Sequence, residues 1–206
     1  LRRGIMNGSG DRLLLVSFSA PSPPPWRRDR EGVPQSDLPN QPDQSDLASL
    51  GGFAQALGLD STILAFEDEI PPADAAAEAL RAAAAGYSHI AAVSSMQSKD
   101  VMARLAGLLD AAMVSDAVRA NSPTEFVRPM VAGSVLATVE ALAEPVVVTF
   151  RPSGFPKHER TVDKNISAAP TVTQRVSSSG GAKGARPDLT QAKRIVSGGR
   201  PLKDAE

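Results

Sequence analysis

The run Ser88-His89-Ile90-Ala91-Ala92-Val93-Ser94-Ser95, followed by Lys99 to Leu109, decides the fold class. Ile90 to Val93 is apolar without alternation, the pattern of a strand covered on both faces. Ser94-Ser95 ends that strand. Ser98 is placed to cap the following helix, with Asp100 in a first turn that favours an acid. Val101, Met102, Leu105, Leu108 and Leu109 recur at helical spacing and form one apolar face. Strand, short polar turn and amphipathic helix make half of a βαβ unit, so an α/β domain with a largely parallel sheet is expected. Serine turns of this kind sometimes hold phosphate, which makes Ser94 and Ser95 minor binding candidates beside their simpler reading as caps.

Working upstream, Pro71 and Pro72 introduce an alanine-rich helix, Ala73 to Ala85, closed by Gly86. Thr62 to Phe66 reads as a short strand, and Phe53 to Leu57 as a helical turn ending at Gly58. The acids Glu67-Asp68-Glu69 point in different directions with no histidine near in the chain, so a solvated loop is favoured over a metal or acid–base cluster. His89 has no partnered nucleophile or carboxylate in view and reads as structural. Residues 1–50 read as an atypical, poorly ordered terminus. Only Leu13 to Phe18 offers a strand there before Pro21, Pro23, Pro24 and Pro25 break the pattern. Arg2, Arg3 and Arg12 leave the remnant of a transit segment as an alternative. No apolar run approaches the ~20 residues of a membrane helix.

Downstream, Met113 to Val118 precedes three β-rich runs, Glu125 to Val131, Val135 to Val139 and Val146 to Phe150. Gly133 and Ala143-Glu144-Pro145 separate the three, which are expected to form an added β-ribbon. Arg128 would sit in mid-strand and needs a carboxylate or solvent, with Asp116 as one possible partner. Residues 151–185, with Pro152, Pro156, Pro170, three serines and Gly180-Gly181, have a linker's composition. Gly180 to Gly184 lacks the preceding strand and the Lys-Ser/Thr ending of a phosphate loop. His158 falls in the same charged stretch.

Near the end of the chain, Lys193 to Val196 has the β-branched character of a short strand, and Ser197-Gly198-Gly199 lets backbone amides approach a ligand closely. Arg200 adds a planar cation suited to a phosphate or an electron-rich ring. Taken alone, Ser-Gly-Gly-Arg is common to many surface turns.

The net charge of −1 hides a partition. Residues 1–30 carry 6 basic and 2 acidic side chains, residues 31–149 carry 5 and 16, and residues 150–206 carry 11 and 5. An acidic body therefore lies between basic ends. Only Phe155 interleaves with the basic tail, and no zinc, helix-turn-helix or RNA-binding signature is present, so nucleic acid is not the expected partner. The absence of cysteine removes disulfides, thiolate catalysis and thiolate metal sites.

Two stretches resemble the electron transfer flavoprotein alpha subunit family. Met113-Val114-Ser115-Asp116, Ser122-Pro123-Thr124-Glu125-Phe126-Val127-Arg128-Pro129 and Ala132-Gly133-Ser134-Val135-Leu136-Ala137-Thr138-Val139 follow that family's order PISD…SPxxFVRPxYAGNALxTV. Val131 and Ser134 stand where the family usually has Tyr and Asn. Arg186-Pro187-Asp188-Leu189-Thr190-Gln191-Ala192-Lys193-Arg194-Ile195-Val196-Ser197-Gly198-Gly199-Arg200-Pro201-Leu202-Lys203 resembles the run that opens its flavin domain. The fit covers about Gly86 to Phe155, resumes at Arg186 and weakens upstream of Asp60, where the family's first strand and helix are not recognisable.

The resemblance implies a Rossmann-like, largely parallel α/β domain with an added β-ribbon, followed by the start of a second α/β domain that binds FAD. The divisions are 1–50 atypical terminus, 51–150 amino-terminal α/β domain, 151–185 linker, and 186–206 the opening of a truncated FAD domain. It implies FAD contacts from Arg200, Ser197, Gly198 and Gly199, a beta-subunit partner, and electron transfer from dehydrogenases such as those of acyl-CoA oxidation to a quinone oxidoreductase. The role is that of an electron carrier rather than a bond-making enzyme. Its place is the mitochondrial matrix in a eukaryote or the cytoplasm in a bacterium. The alternative is a flavin-free module that docks to the beta subunit. A stand-alone adenine-nucleotide domain is disfavoured by the missing glycine motif in the first βα turn.

Overall fold

The computed structural model of the chain describes residues 12–18, 44–67, 70–173 and 194–198. The chain divides into two units, Leu1–Thr173 and Gln174–Glu206. The first unit is an α/β domain. Its strands and helices follow the order β1 (Arg12–Ser17), α1 (Gln44–Leu57), β2 (Asp60–Phe66), α2 (Ala73–Ala83), β3 (His89–Val93), α3 (Met96–Leu109), β4 (Ala112–Ala117), β5 (Arg119–Ala120), β6 (Glu125–Met130), β7 (Val135–Glu140), β8 (Val146–Phe150) and β9 (Lys164–Ile166). Six strands form one sheet in the order β4-β8-β3-β1-β2-β9, and every pairing in it is parallel. β5, β6 and β7 form a separate antiparallel sheet.

Burial on both faces explains the unbroken apolar strands. Along β1, Leu13 and Leu15 pack with Leu50 and Phe53 of α1, while Leu14 and Val16 pack with Leu80 of α2 and Val101, Met102 and Leu105 of α3. The antiparallel sheet joins the α1 side through Phe126 and Val139. Phe53 stacks on Phe150 with ring centres 4.3 Å apart, and Phe155 meets both rings edge-on. Among the described residues, no helix is long and apolar enough to cross a membrane.

Several local expectations are revised. Arg12–Ser17, expected within an atypical terminus, is an interior strand between β3 and β2, and α1 begins at Gln44. The Pro-rich sequence after β1 masks this locally, because what makes β1 a strand is its pairing with residues about 50 and 75 positions away. The helix after β3 starts at Met96, with Ser95 as its cap. Ser95 Oγ accepts the Ser98 amide at 3.0 Å, and Ser98 Oγ accepts the Ser95 amide at 2.8 Å. This reciprocal box satisfies two amides that would otherwise lack partners.

Of the three runs expected in the ribbon, Val146–Phe150 instead enters the parallel sheet between β3 and β4. Its five residues are all buried, as a doubly covered strand requires. Residues 151–173, expected as linker, pack on the domain. His158 donates its amide to the Ala48 carbonyl at 2.9 Å, and Asp163 Oδ2 accepts the Ile63 amide at 2.7 Å. β9 then pairs with β2. Composition missed this because the ties run to backbone groups of distant elements. The stretch Gly180 to Gly184 lies outside the described residues.

In the second unit, Arg194 to Gly198 are described, and all are exposed and without regular structure. The strand expected over Lys193 to Val196 is therefore not formed by its described part.

Candidate functional site

Chain direction concentrates the polar residues at the carboxyl edge of the parallel sheet. The crossover from β1 through α1 leads to β2 on one side, and the crossover from β2 through α2 returns to β3 on the other. Successive helices thus leave on opposite faces, and a crevice opens between the carboxyl ends of β1 and β3, the place where open α/β sheets bind ligands. It is a shallow cleft of about 240 Å³, open solvent included, lined by Val16, Ser17, Phe18, Asp46, Leu50, Val93 and Ser95.

Along the same edge, Asp116 gathers the ends of three strands. The pairing of β4 with β8 shifts between Val114 and Ala117, and Asp116 takes a left-handed conformation with φ of 58°. An acid tolerates this better than a branched residue, because its short polar side chain bonds locally. The irregularity re-aims the carboxylate, as bulges beside functional edges do. Ser94 Oγ donates a hydrogen bond to Asp116 Oδ1. Lys99 Nζ lies 2.9 Å from Oδ2, and Arg151 Nη2 lies 3.7 Å from the same oxygen. The Asp116 amide donates to Thr149 Oγ1 at 3.1 Å. Partial burial pushes the carboxyl pKa up, but the Ser94 hydroxyl and the two cations outweigh it and hold the group below its ordinary value.

The network therefore sets one carboxylate against two cations. It fixes the loops after β3, β4 and β8 in place, and it presents neither a nucleophile with a base nor, among the described residues, a metal-binding group. The expected Asp116–Arg128 pairing is not made. Asp116 turns toward α3 and β8, while Arg128 stays in the ribbon with its Nε buried and without a hydrogen-bond partner. Sequence reading missed Lys99 and Arg151 as the partners. The available signal was that Asp116 and Arg151 close two parallel strands and so must emerge on one edge.

His89 is structural, as expected. Nε2 lies 3.0 Å from the Pro123 carbonyl, which only accepts, so Nε2 donates there, and Nδ1 lies 2.8 Å from Ser88 Oγ. Ser94 and Ser95 are committed to Asp116 and to the helix cap. Of the residues assigned to FAD by resemblance, Ser197 and Gly198 are exposed, while Gly199 and Arg200 lie outside the described residues. Asp68 and Glu69 lie outside them too.

Residues 43–177 match the electron transfer flavoprotein domain family. The chain is 40% identical over 125 residues to a protein of Schizosaccharomyces pombe named probable electron transfer flavoprotein subunit alpha, mitochondrial, covering 58% of this chain and 37% of that protein. It is 35% identical over 128 residues to the electron transfer flavoprotein subunit alpha of Pseudomonas aeruginosa, covering 58% and 40%. It is 34% identical over 167 residues to the mitochondrial subunit alpha of Oryza sativa subsp. indica, covering 74% and 46%. The chain thus spans less than half the length of these relatives. The match takes in more than half of the chain, from α1 through the parallel sheet, the ribbon and β9, and the chain belongs to the electron transfer flavoprotein domain family.

Proposed function

We infer that this chain supplies the α/β domain of an electron transfer flavoprotein alpha subunit, and that the assembled protein carries electrons from dehydrogenases, such as acyl-CoA dehydrogenases, to a quinone oxidoreductase. The observation that carries this reading is the family match over residues 43–177, supported by the alpha-subunit names of relatives from fungi, plants and a bacterium. The chain pairs with a beta subunit. It works in the mitochondrial matrix if its source is eukaryotic, as the names of its eukaryotic relatives suggest, and in the cytoplasm if bacterial.

Ser197 and Gly198, assigned to the flavin by resemblance, are exposed. FAD, where bound, supplies the redox chemistry. The groups of this chain assigned to it are Ser197, Gly198, Gly199 and Arg200, the last placing a permanent cation near negative charge on the cofactor. These residues need further protein around them, so the 206-residue chain alone holds FAD very weakly.

Titration of the purified chain with FAD, read by flavin fluorescence, tests this. No saturation at micromolar concentration is expected, and a micromolar dissociation constant would overturn the statement. A second reading, a flavin-free docking module for the beta subunit, is favoured by the exposed apolar end of the ribbon at Met130, Val131, Val135 and Leu136. A beta-subunit complex isolated without flavin would select it.

A further inference from the structure

β7 is the edge of the antiparallel sheet, and among the described residues nothing pairs with its outer side. The Ala141 amide donates to the Thr124 carbonyl, and the register continues through Val139–Phe126, Ala137–Arg128 and Val135–Met130. Antiparallel ladders alternate, so the backbone groups of Val135, Ala137 and Val139 face β6, while those of Leu136, Thr138 and Glu140 face outward. The side chains of these last three residues share the exposed face, with Leu136 65% exposed.

The two edges of this sheet differ. Beyond the two residues of β5, β6 turns Pro129 toward the open side, by the alternation that sets Glu125 and Val127 against β5. Proline has no amide to offer, so that edge is blocked. β7 carries no Pro, no Lys and no bulge, the usual protections of an edge.

Charge narrows what can add there. Glu140 lies directly opposite Glu125, with Glu144 just beyond, and among the described residues none of the three forms an ion pair. Like charges opposed across a ladder are unfavourable, and a cation placed beside Glu140 relieves them. A second copy of β7 fits poorly. An antiparallel pairing that uses all three outward positions puts Thr138 on its own twofold axis and sets Leu136 against Glu140.

We propose that β7 accepts an extended strand from a different polypeptide, one with an apolar residue opposite Leu136 and a Lys or Arg opposite Glu140. The proposal rests on the beta-subunit pairing inferred above and assigns that strand to the beta subunit.

The test is co-expression of the chain with the beta subunit of the same source, comparing wild type with Thr138→Pro, which removes one outward amide, and with Glu140→Lys. Both positions are exposed, and circular dichroism checks folding. Each substitution is expected to weaken the complex roughly tenfold, the effect of a lost, well-placed charged or ladder contact. Hydrogen exchange supplies a readout that needs no variant. In the complex, the amides of Leu136, Thr138 and Glu140 gain protection, while those of Ala137 and Val139 change little. If wild type forms no complex, the pairing reading falls and this inference with it. If a complex forms that neither substitution weakens, or in which the three outward amides gain no protection, this inference alone falls.

Discussion

Replacing Gly52 with alanine should destabilise the protein, whereas the same change in an ordinary helix interior stabilises it by about 1 kcal/mol. Gly52 lies inside α1 where the 155–160 segment crosses the helix. A Cβ added there would overlap the Pro156 carbonyl oxygen and come within 2.8 Å of its carbon. These are backbone atoms, so relief requires moving the segment that places Phe155 against Phe53 and donates the His158 amide to Ala48. Overpacking of this kind costs roughly 1–3 kcal/mol, and the strained hydrogen bond adds about 1 kcal/mol. Set against the propensity gain, the net loss is about 2 kcal/mol, or a fall of about 4–8 °C in melting temperature for a domain of this size. Gly107 in α3 is the internal control. It is exposed, and nothing lies within 4 Å of its added Cβ, so Gly107→Ala should raise the melting temperature by about 2–4 °C. Thermal melts of the two variants beside wild type decide the matter. A Gly52→Ala protein as stable as wild type would refute the packing argument.

Asp116→Asn keeps the side-chain shape and its tolerance of positive φ but removes the charge facing Lys99 and Arg151. Both cations are nearly half exposed, so a loss of only about 1 kcal/mol is expected by denaturant titration. Because the folded pKa of Asp116 lies below its ordinary 3.8, its contribution is fully present above that value and is lost as pH falls through the lower folded pKa. Stability of wild type relative to Asp116→Asn should therefore converge only in strong acid. Asp74, at the start of α2, accepts the Thr171 hydroxyl and the amides of Val172 and Thr173. Desolvation pushes its carboxyl up, but these donors dominate and hold it far below the ordinary range. Asp74→Ala should speed hydrogen exchange at Val172 and Thr173 while leaving exchange in β1 unchanged. Phe53→Ala, which empties the centre of the three-ring cluster, should cost about 3–5 kcal/mol in a urea melt. Val131 holds φ of 49° although branched at Cβ and 73% exposed, so Val131→Asn should stabilise by roughly 1 kcal/mol.

The sequence by itself determined what local geometry dictates. The apolar run Ile90 to Val93, the helical spacing from Val101 to Leu109 and the proline-led, glycine-ended alanine helix each carry their period in adjacent residues, and from them follow the α/β class and the parallel sheet. The ordered residues from Met113 to Val139 carried the family. Only the tertiary structure decided which segment pairs with which. β8 and the two long ribbon strands are alike in composition, yet β8 is buried on both faces between β3 and β4. β1, hidden ahead of a proline-rich tail, fills the interior of the sheet. The glycine pair at Gly51 and Gly52 is the point where the chain returns to cross α1. Asp116 found Lys99 and Arg151 because an irregularity in β4 turned it. A strand's period is written in its own backbone, but its neighbours are chosen by register and burial shared among residues far apart in the chain.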